Sequence, residues 1–345
     1  MKKLLITGAL LIACLLTALA VGGDAGDPLV SLSYLMNTFS PKVETAVGEK
    51  LHTTGGGLAE TTEYRLKSGD RLTGGTGLSC TLLAGGARVD FSGGAVVDMT
   101  DGKELPSGAP LQLRHRYLVA EDTTASFVVT ASTAVLQAVG RASLAPSNTV
   151  DYYAAATALQ QLGLFRGTGV GYGGGFDLHL APTRVQALIM FIRVLGEEDA
   201  ALAYTGGTPF RDIKKGSLSE HYVGYAFAKG YSNGCTKTEF LPDLPVTATQ
   251  YTEFLLRALG YSKPGGGDLT GTLQKAVASG VLTPGEQALL EREPYLRAQL
   301  AYQSYYALAA TLADGSGTLQ QKLIADGIFT AETAAAATIQ TPRLP

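Results

Sequence analysis

The sequence predicts an α+β protein of more than one domain: an all-β sandwich or barrel-like domain, followed by an all-α region built from three related segments. Two observations carry this. Residues 63–144 are short runs rich in Val, Leu, Thr and Tyr at spacings of about ten residues, broken by turns such as Ser68-Gly69-Asp70 and Asp101-Gly102, the pattern of a small β domain. Beyond residue 150 the apolar residues fall at helical spacing, and one segment returns later in the chain at a fixed offset, which marks an internal repeat.

The chain opens with Met1-Lys2-Lys3, an apolar run from Leu4 to Leu16, and Ala18-Leu19-Ala20, the three parts of a secretory signal. Cleavage after Ala20 is expected, leaving a secreted protein without a membrane segment, because the apolar run breaks at Gly22-Gly23-Asp24 and is barely long enough to span. Leu11-Ile12-Ala13-Cys14 offers a rival reading as a lipobox that ends in a lipid-modified cysteine. The 345 residues carry 27 basic and 30 acidic side chains, net −3, and loss of the leader's two lysines makes this −5. That mild acidity presents no basic field to nucleic acid or anionic lipid. Only Cys80 and Cys235 remain after cleavage, in different predicted regions, so a disulfide framework is not expected.

Residues 27–57 come next, with Leu29, Leu32, Leu35 and Met36 at helical spacing and Pro41 interrupting, read as one or two short amphipathic helices. The β domain is placed at 58–145, with strands around Tyr64–Leu66, Leu78–Leu83, Ala87–Phe91, Ala95–Asp98, Leu111–Val119, Ser126–Thr130 and Ala134–Val139. Ala145-Pro146-Ser147-Asn148 marks its end.

In the helical region Thr183–Gly196 aligns with Thr247–Gly260 without a gap at an offset of 64, sharing Thr, Gln, Arg, Leu and Gly. A third segment, Leu296–Leu308, matches at Arg297, Gln299 and Leu308. Upstream of each lies a shorter helix ending in glycine, at Gly163, Gly230 and Gly280. Repeats are therefore set at 151–205, 206–263 and 268–330, with a tail at 331–345. The stretch Gly167–Gly175 contains a Gly-x-Gly-x-x-Gly spacing, but a helix precedes it and no strand does, so it reads as a surface connection that uses positive φ and not as a phosphate loop.

The second repeat carries Phe210-Arg211-Asp212-Ile213, Tyr222, Gly230 to Gly234, Phe240-Leu241-Pro242, Val246-Thr247 and Arg257-Ala258-Leu259-Gly260. In that order these residues resemble the S-layer homology (SLH) domains of Gram-positive surface proteins, and the front half of the chain is similar to clostridial proteins of that type. The resemblance implies a pseudo-trimer of three helix-loop-helix repeats whose grooves bind an anionic secondary cell-wall polysaccharide. It implies polysaccharide contacts from Arg184, Arg297, Thr183, Thr247 and Tyr222, and placement at the cell wall. An arginine at a helix start would add its charge to free backbone N–H groups. The middle repeat departs from the pattern with Ala248 in place of arginine, the chain has no Trp, and the third repeat lacks the Phe-x-Pro element.

Other candidates have simpler readings. Arg193 and Arg257 fall in the last turn of their helices, where a cation complements the helix dipole. Glu197-Glu198 reads as a solvated helix end. His52, His115, His179 and His221 have no acid or thiol at metal-ligand spacing, so no metal or other cofactor is expected. No nucleophile or acid-pair motif is present, which points to a non-catalytic protein with the wall glycan as partner; the alternatives are self-association into a surface layer and a surface-displayed β domain with an unknown ligand.

Overall fold

The computed structural model describes residues 61–264, 268–339 and 343–345, with residues 40–42 and 45. The leader at 1–20, Cys14, His52 and most of the lead segment lie outside the described residues. The chain divides into two compact units, Met1–Glu60 and Thr61–Pro345. In the first, residues 40–42 and 45 are helical, and the Thr45 hydroxyl donates to the Pro41 carbonyl at 2.8 Å.

The second unit begins with nine antiparallel strands: β1 (Thr61–Lys67), β2 (Arg71–Gly75), β3 (Ser79–Phe91), β4 (Ala95–Asp98), β5 (Lys103–Leu105), β6 (Ala109–Pro110), β7 (Arg116–Ala120), β8 (Thr124–Val139) and β9 (Ser143–Ala145). They form one sheet in the order β5-β4-β7-β3-β8-β2-β9, with β1 also on β8 and β6 also on β3. This corrects the sandwich or barrel expected from the sequence: all nine strands belong to one hydrogen-bonded sheet, and the path ends at β5 and β9 without closing.

The physical reason lies in β3 and β8, which stay paired along their length through register shifts at Leu82/Ala84 and Gly85/Ala87. Those shifts keep the buried face buried. Cys80 and Leu82 point inward before them and Ala87 and Val89 after them; Phe127 and Val129 change parity to Leu136 and Ala138 on β8. Gly85, at φ +78, allows the close approach, since a Cβ there would stand 1.9 Å from the Thr133 carbonyl oxygen. The glycine pair that reads as a turn is a bulge.

Ten helices follow among the described residues: α1 (Tyr152–Gln161), α2 (Arg184–Val194), α3 (Glu198–Leu202), α4 (Leu218–Ala228), α5 (Ala248–Ala258), α6 (Thr272–Ala278), α7 (Pro284–Arg292), α8 (Arg297–Ala307), α9 (Leu319–Ala325) and α10 (Ala331–Ala336). The paired Thr and Gln of the repeat are explained at once. Thr183 with Gln186, and Thr247 with Gln250, are reciprocal capping boxes at the starts of α2 and α5.

A pseudo-trimer of three helix-loop-helix repeats, expected from the resemblance, is not what these helices build. α1 packs chiefly on α8, α4 on α2 and α3, and α6 on α5, so the partner of each helix comes from a different predicted repeat. α3 and α9 have no counterparts in the other repeats, and in the third repeat α7 occupies the stretch where the loop should be. Nor is 331–345 a loose tail. Arg343 makes a two-point contact with Glu286 at 2.7 Å, and the Leu344 amide donates to the Tyr302 hydroxyl at 3.1 Å.

Sheet and helices share a core. Ala84 and Val135, on β3 and β8, pack into the helical cluster and not into the sheet's own. Glu293 ties the two regions together, accepting hydrogen bonds from Ser132 of β8 at 3.0 Å, Gln299 of α8 at 3.0 Å and Tyr152 of α1 at 3.4 Å.

Candidate functional site

The starts of α2 and α8 are built alike. The Arg184 amide donates to the Leu244 carbonyl at 2.8 Å, the Val185 amide to Pro242 at 3.1 Å, and the Arg184 side chain donates through Nε to Phe240 at 2.8 Å. On α8 the Arg297 amide donates to Leu180 at 2.8 Å, the Ala298 amide to Leu178 at 3.1 Å, and Arg297 Nε to Phe176 at 2.9 Å. Each arginine, with the residue after it, thus clasps a loop through the same three carbonyl positions. The guanidinium of Arg184 stacks 5.0 Å from the Phe240 ring, and that of Arg297 lies 5.6 Å from the Phe165 ring.

The clasped loops, residues 176–183 and 240–247, are themselves equivalent. Phe176 and Phe240, Leu180 and Leu244, and Thr183 and Thr247 all stand 64 positions apart, and Asp177 and Leu241 share a positive φ of 52° and 58°. This extension of the repeat upstream of the threonines is the signal that the sequence reading passed over. No such loop reaches the start of α5 among the described residues. There α7 replaces the third loop, Ala248 replaces the arginine, and a groove of about 510 Å³ opens between Thr247, Ala248, Thr249, Glu291, Pro294 and Tyr295. Arginine and loop are absent together, as expected if the arginine's first task is to hold the loop.

The expected convergence of arginine charge and free helix-start amides on a ligand is therefore not met. The first two amides of α2 and α8 already serve loop carbonyls, and the third amide of α2 serves the Thr183 hydroxyl at 3.3 Å. The Thr247 hydroxyl is likewise engaged by the Gln250 amide at 3.2 Å. Tyr222 is buried, and its hydroxyl donates to Glu198 at 2.6 Å; burial and the neighbouring carboxylate push its phenol up to about 12. It is a core residue and offers no face to a sugar.

What remains available is the guanidinium charge. Arg184 is 4 % exposed and Arg297 is partly buried, yet neither has a carboxylate within 4.0 Å among the described residues. Burial holds both guanidinium groups below the usual arginine range, opposed at Arg184 by the Cys235 and Asp212 charges and at Arg297 by Asp177. Asp212 is already committed, its carboxylate accepting the Phe240 and Leu241 amides at 2.9 and 2.6 Å. By contrast Arg193 pairs with Glu198 at 2.7 Å and Arg257 with Glu253 at 2.9 Å.

Two further readings change. Glu197 and Glu198 are not a solvated helix end: Glu197 accepts from Tyr225 and Tyr231 at 3.0 Å, and Glu198 from Tyr222 and Arg193. His115 does have acidic neighbours. Its Nδ1 lies 2.8 Å from Asp98 Oδ2, and ligand atoms of Asp98, Asp101 and His115 lie within 4.8 Å of one another. Strand pairing of β4 with β7 brings them together across 17 positions of sequence, which spacing rules do not register. Asp98 is engaged there as a turn brace, its Oδ1 accepting the Thr100 and Asp101 amides at 2.9 and 3.2 Å.

The glycine stretch 167–175 lies against the sheet. The Gly173 amide donates to Glu63 of β1 at 3.2 Å, and a Cβ on Gly174 would stand 2.6 Å from the Arg65 side chain. Its tip, at Val170 and Tyr172, is exposed.

No protein-family profile matches the chain, and no curated protein is similar to it. Among solved structures it is similar to recombinant pro-11S globulin of pumpkin at 13 % identity, over 29 % of this chain and 28 % of that one, with a TM-score of 0.17. A likeness so slight carries no argument about fold or function. No helix among the described residues is long and apolar enough to cross a membrane.

Proposed function

We propose that this is a non-catalytic cell-surface protein, secreted and then held on the bacterial wall by its helical region, which binds an anionic wall polysaccharide. The observation that carries the reading is the pair of buried or partly buried arginines, Arg184 and Arg297, that lack a carboxylate partner among the described residues. A desolvated cation gains from an anion that completes its bonding, and the carboxylates of an acidic glycan supply one. The ordered SLH-like motif residues of the second repeat, from Phe210 to Gly260, support the same reading. Contact comes through the terminal guanidinium nitrogens and not through the helix-start amides, which are occupied.

Pull-down with purified walls, before and after chemical removal of the polysaccharide, tests this. Retention should need the polysaccharide and should weaken with salt. Replacing Arg297, the more exposed of the two, by Gln should lower retention about tenfold, as expected for one charge-assisted contact. Circular dichroism would show that the variant is folded. Equal retention on stripped walls, or by a folded Arg297→Gln protein, would reject the proposal; ordered sheets of the protein alone would point to self-assembly in its place.

A further inference from the structure

Residues 343–345 lie in a slot between α7 and α8 that holds a peptide at three points. The Arg343 guanidinium donates to both oxygens of Glu286 at 2.7 Å and to the Val281 carbonyl at 2.8 Å, and it stands 5.1 Å from the Tyr306 ring. One residue on, the Leu344 amide donates to the Tyr302 hydroxyl at 3.1 Å; one further, the Pro345 carbonyl accepts the Gly285 amide at 2.6 Å. Glu286 is 2 % exposed, and Arg343 is its one basic partner within 4.0 Å among the described residues. A buried carboxylate without its cation is costly, and two oxygens backed by a carbonyl and a ring face suit the flat fork of a guanidinium better than an ammonium.

Gly285 shows the same fit from the backbone side. It stands in the first turn of α7, where glycine weakens a helix relative to alanine. A Cβ there would lie 2.4 Å from the Pro345 carbonyl oxygen, so only the bare backbone lets a peptide carbonyl reach the amide. Arg343 and Leu344 are partly buried and Pro345 is exposed; the segment rests on a surface whose walls come from other residues. We propose that this slot is a recognition site for extended protein segments that carry an arginine, and that residues 343–345 fill it in cis and mask it. The partner presents an arginine, then a residue with a free amide, then a free carbonyl. This goes beyond wall binding and involves neither Arg184 nor Arg297.

The test uses the full chain as Arg343→Ala, which vacates the slot, and a fluorescent peptide with the sequence of residues 341–345, its binding read by anisotropy. The peptide should bind this variant about tenfold or more tightly than it binds the parent, whose tethered segment competes at an effective concentration of roughly millimolar order. Citrulline in place of the peptide's arginine keeps the shape without the charge and should lower affinity about tenfold, the size of one charge-assisted bond. Gly285→Ala added to Arg343→Ala should abolish binding while circular dichroism shows the chain folded. Should Arg343→Ala fail to fold, Arg343→Lys leaves a charge beside Glu286 without the two-point contact, and the peptide should displace it. No binding to a folded variant, equal binding of the citrulline peptide, undiminished binding after Gly285→Ala, or equal affinity for parent and variant would overturn the inference. Concentration-dependent dimers of the parent that Arg343→Ala abolishes would assign the segment to the slot of a second copy and overturn masking in cis.

Discussion

At the residue scale, polar side chains in this protein serve mainly to close backbone groups that the fold leaves open. Asp70 is the densest case. It accepts the Lys67 amide and ammonium at 3.0 and 2.9 Å and the Ser147 amide at 2.7 Å, joining the β1–β2 turn to the segment after β9. Burial raises its pKa, but the bonds from Ser147 and Lys67 outweigh that and hold the carboxyl below its ordinary 3.8. Because the folded form has the lower pKa, this stabilisation is complete above the unfolded value near 3.8 and is lost as pH falls through the lowered folded value. Asp70→Asn should therefore unfold more readily at neutral pH, while the gap to the parent narrows as pH drops from about 5 toward 2. Urea midpoints across that range measure it; a constant gap would show that Asp70 does not act through its charge.

At the scale of elements, the repeated sequence encodes helix starts and the loops that they clasp. Thr and Gln recur at α2 and α5 as a cap and its reciprocal partner, and Arg recurs at α2 and α8 as a donor to loop carbonyls, where a helix begins against another segment. Thr247→Ala should cost about 1 kcal/mol, the usual worth of a cap. Ala248→Arg separates clasp from ligand contact: no equivalent of the loops 176–183 and 240–247 reaches the groove at α5 among the described residues, and Glu291 stands across it. Denaturant unfolding should show no gain in stability beyond about 0.5 kcal/mol, the size of a surface ion pair. A gain of 2 kcal/mol or more, the worth of a charge-assisted bond, would mean that a third clasp can form. The long strands show the limit of local patterning. Gly85 and Gly86 punctuate the sequence as a turn would, yet β3 runs through them because its inward residues shift parity and stay in the core.

For the molecule, the junction at Glu293 makes sheet and helices one unit. Its carboxylate receives Ser132, Gln299 and Tyr152, and Ala84 and Val135 carry the helical core onto the sheet. Glu293→Ala leaves three polar groups short of a partner at a cost of about 1–3 kcal/mol. Near-UV circular dichroism and amide exchange should show sheet and helices losing stability together. Independent melting, with the sheet unchanged, would mean that the junction does not couple them.

Composition and periodicity determined by themselves that a β region of about 85 residues precedes a helical one, and the offset of 64 marked α2 and α5 with their caps. Those features depend on residues near one another in the chain. What Arg184, Arg297, Tyr222 and His115 do was decided only in three dimensions, because their partners stand 56, 121, 24 and 17 positions away. The sequence showed that an arginine heads α2 and α8. Only packing shows that the amides beside it are already bound, since which segment meets a helix start depends on how the repeats cross over one another. The same crossing removed the pseudo-trimer: α1, α4 and α6 found their main helix partners in other predicted repeats, and with α7 in place of a loop the third repeat had nothing for an arginine to hold.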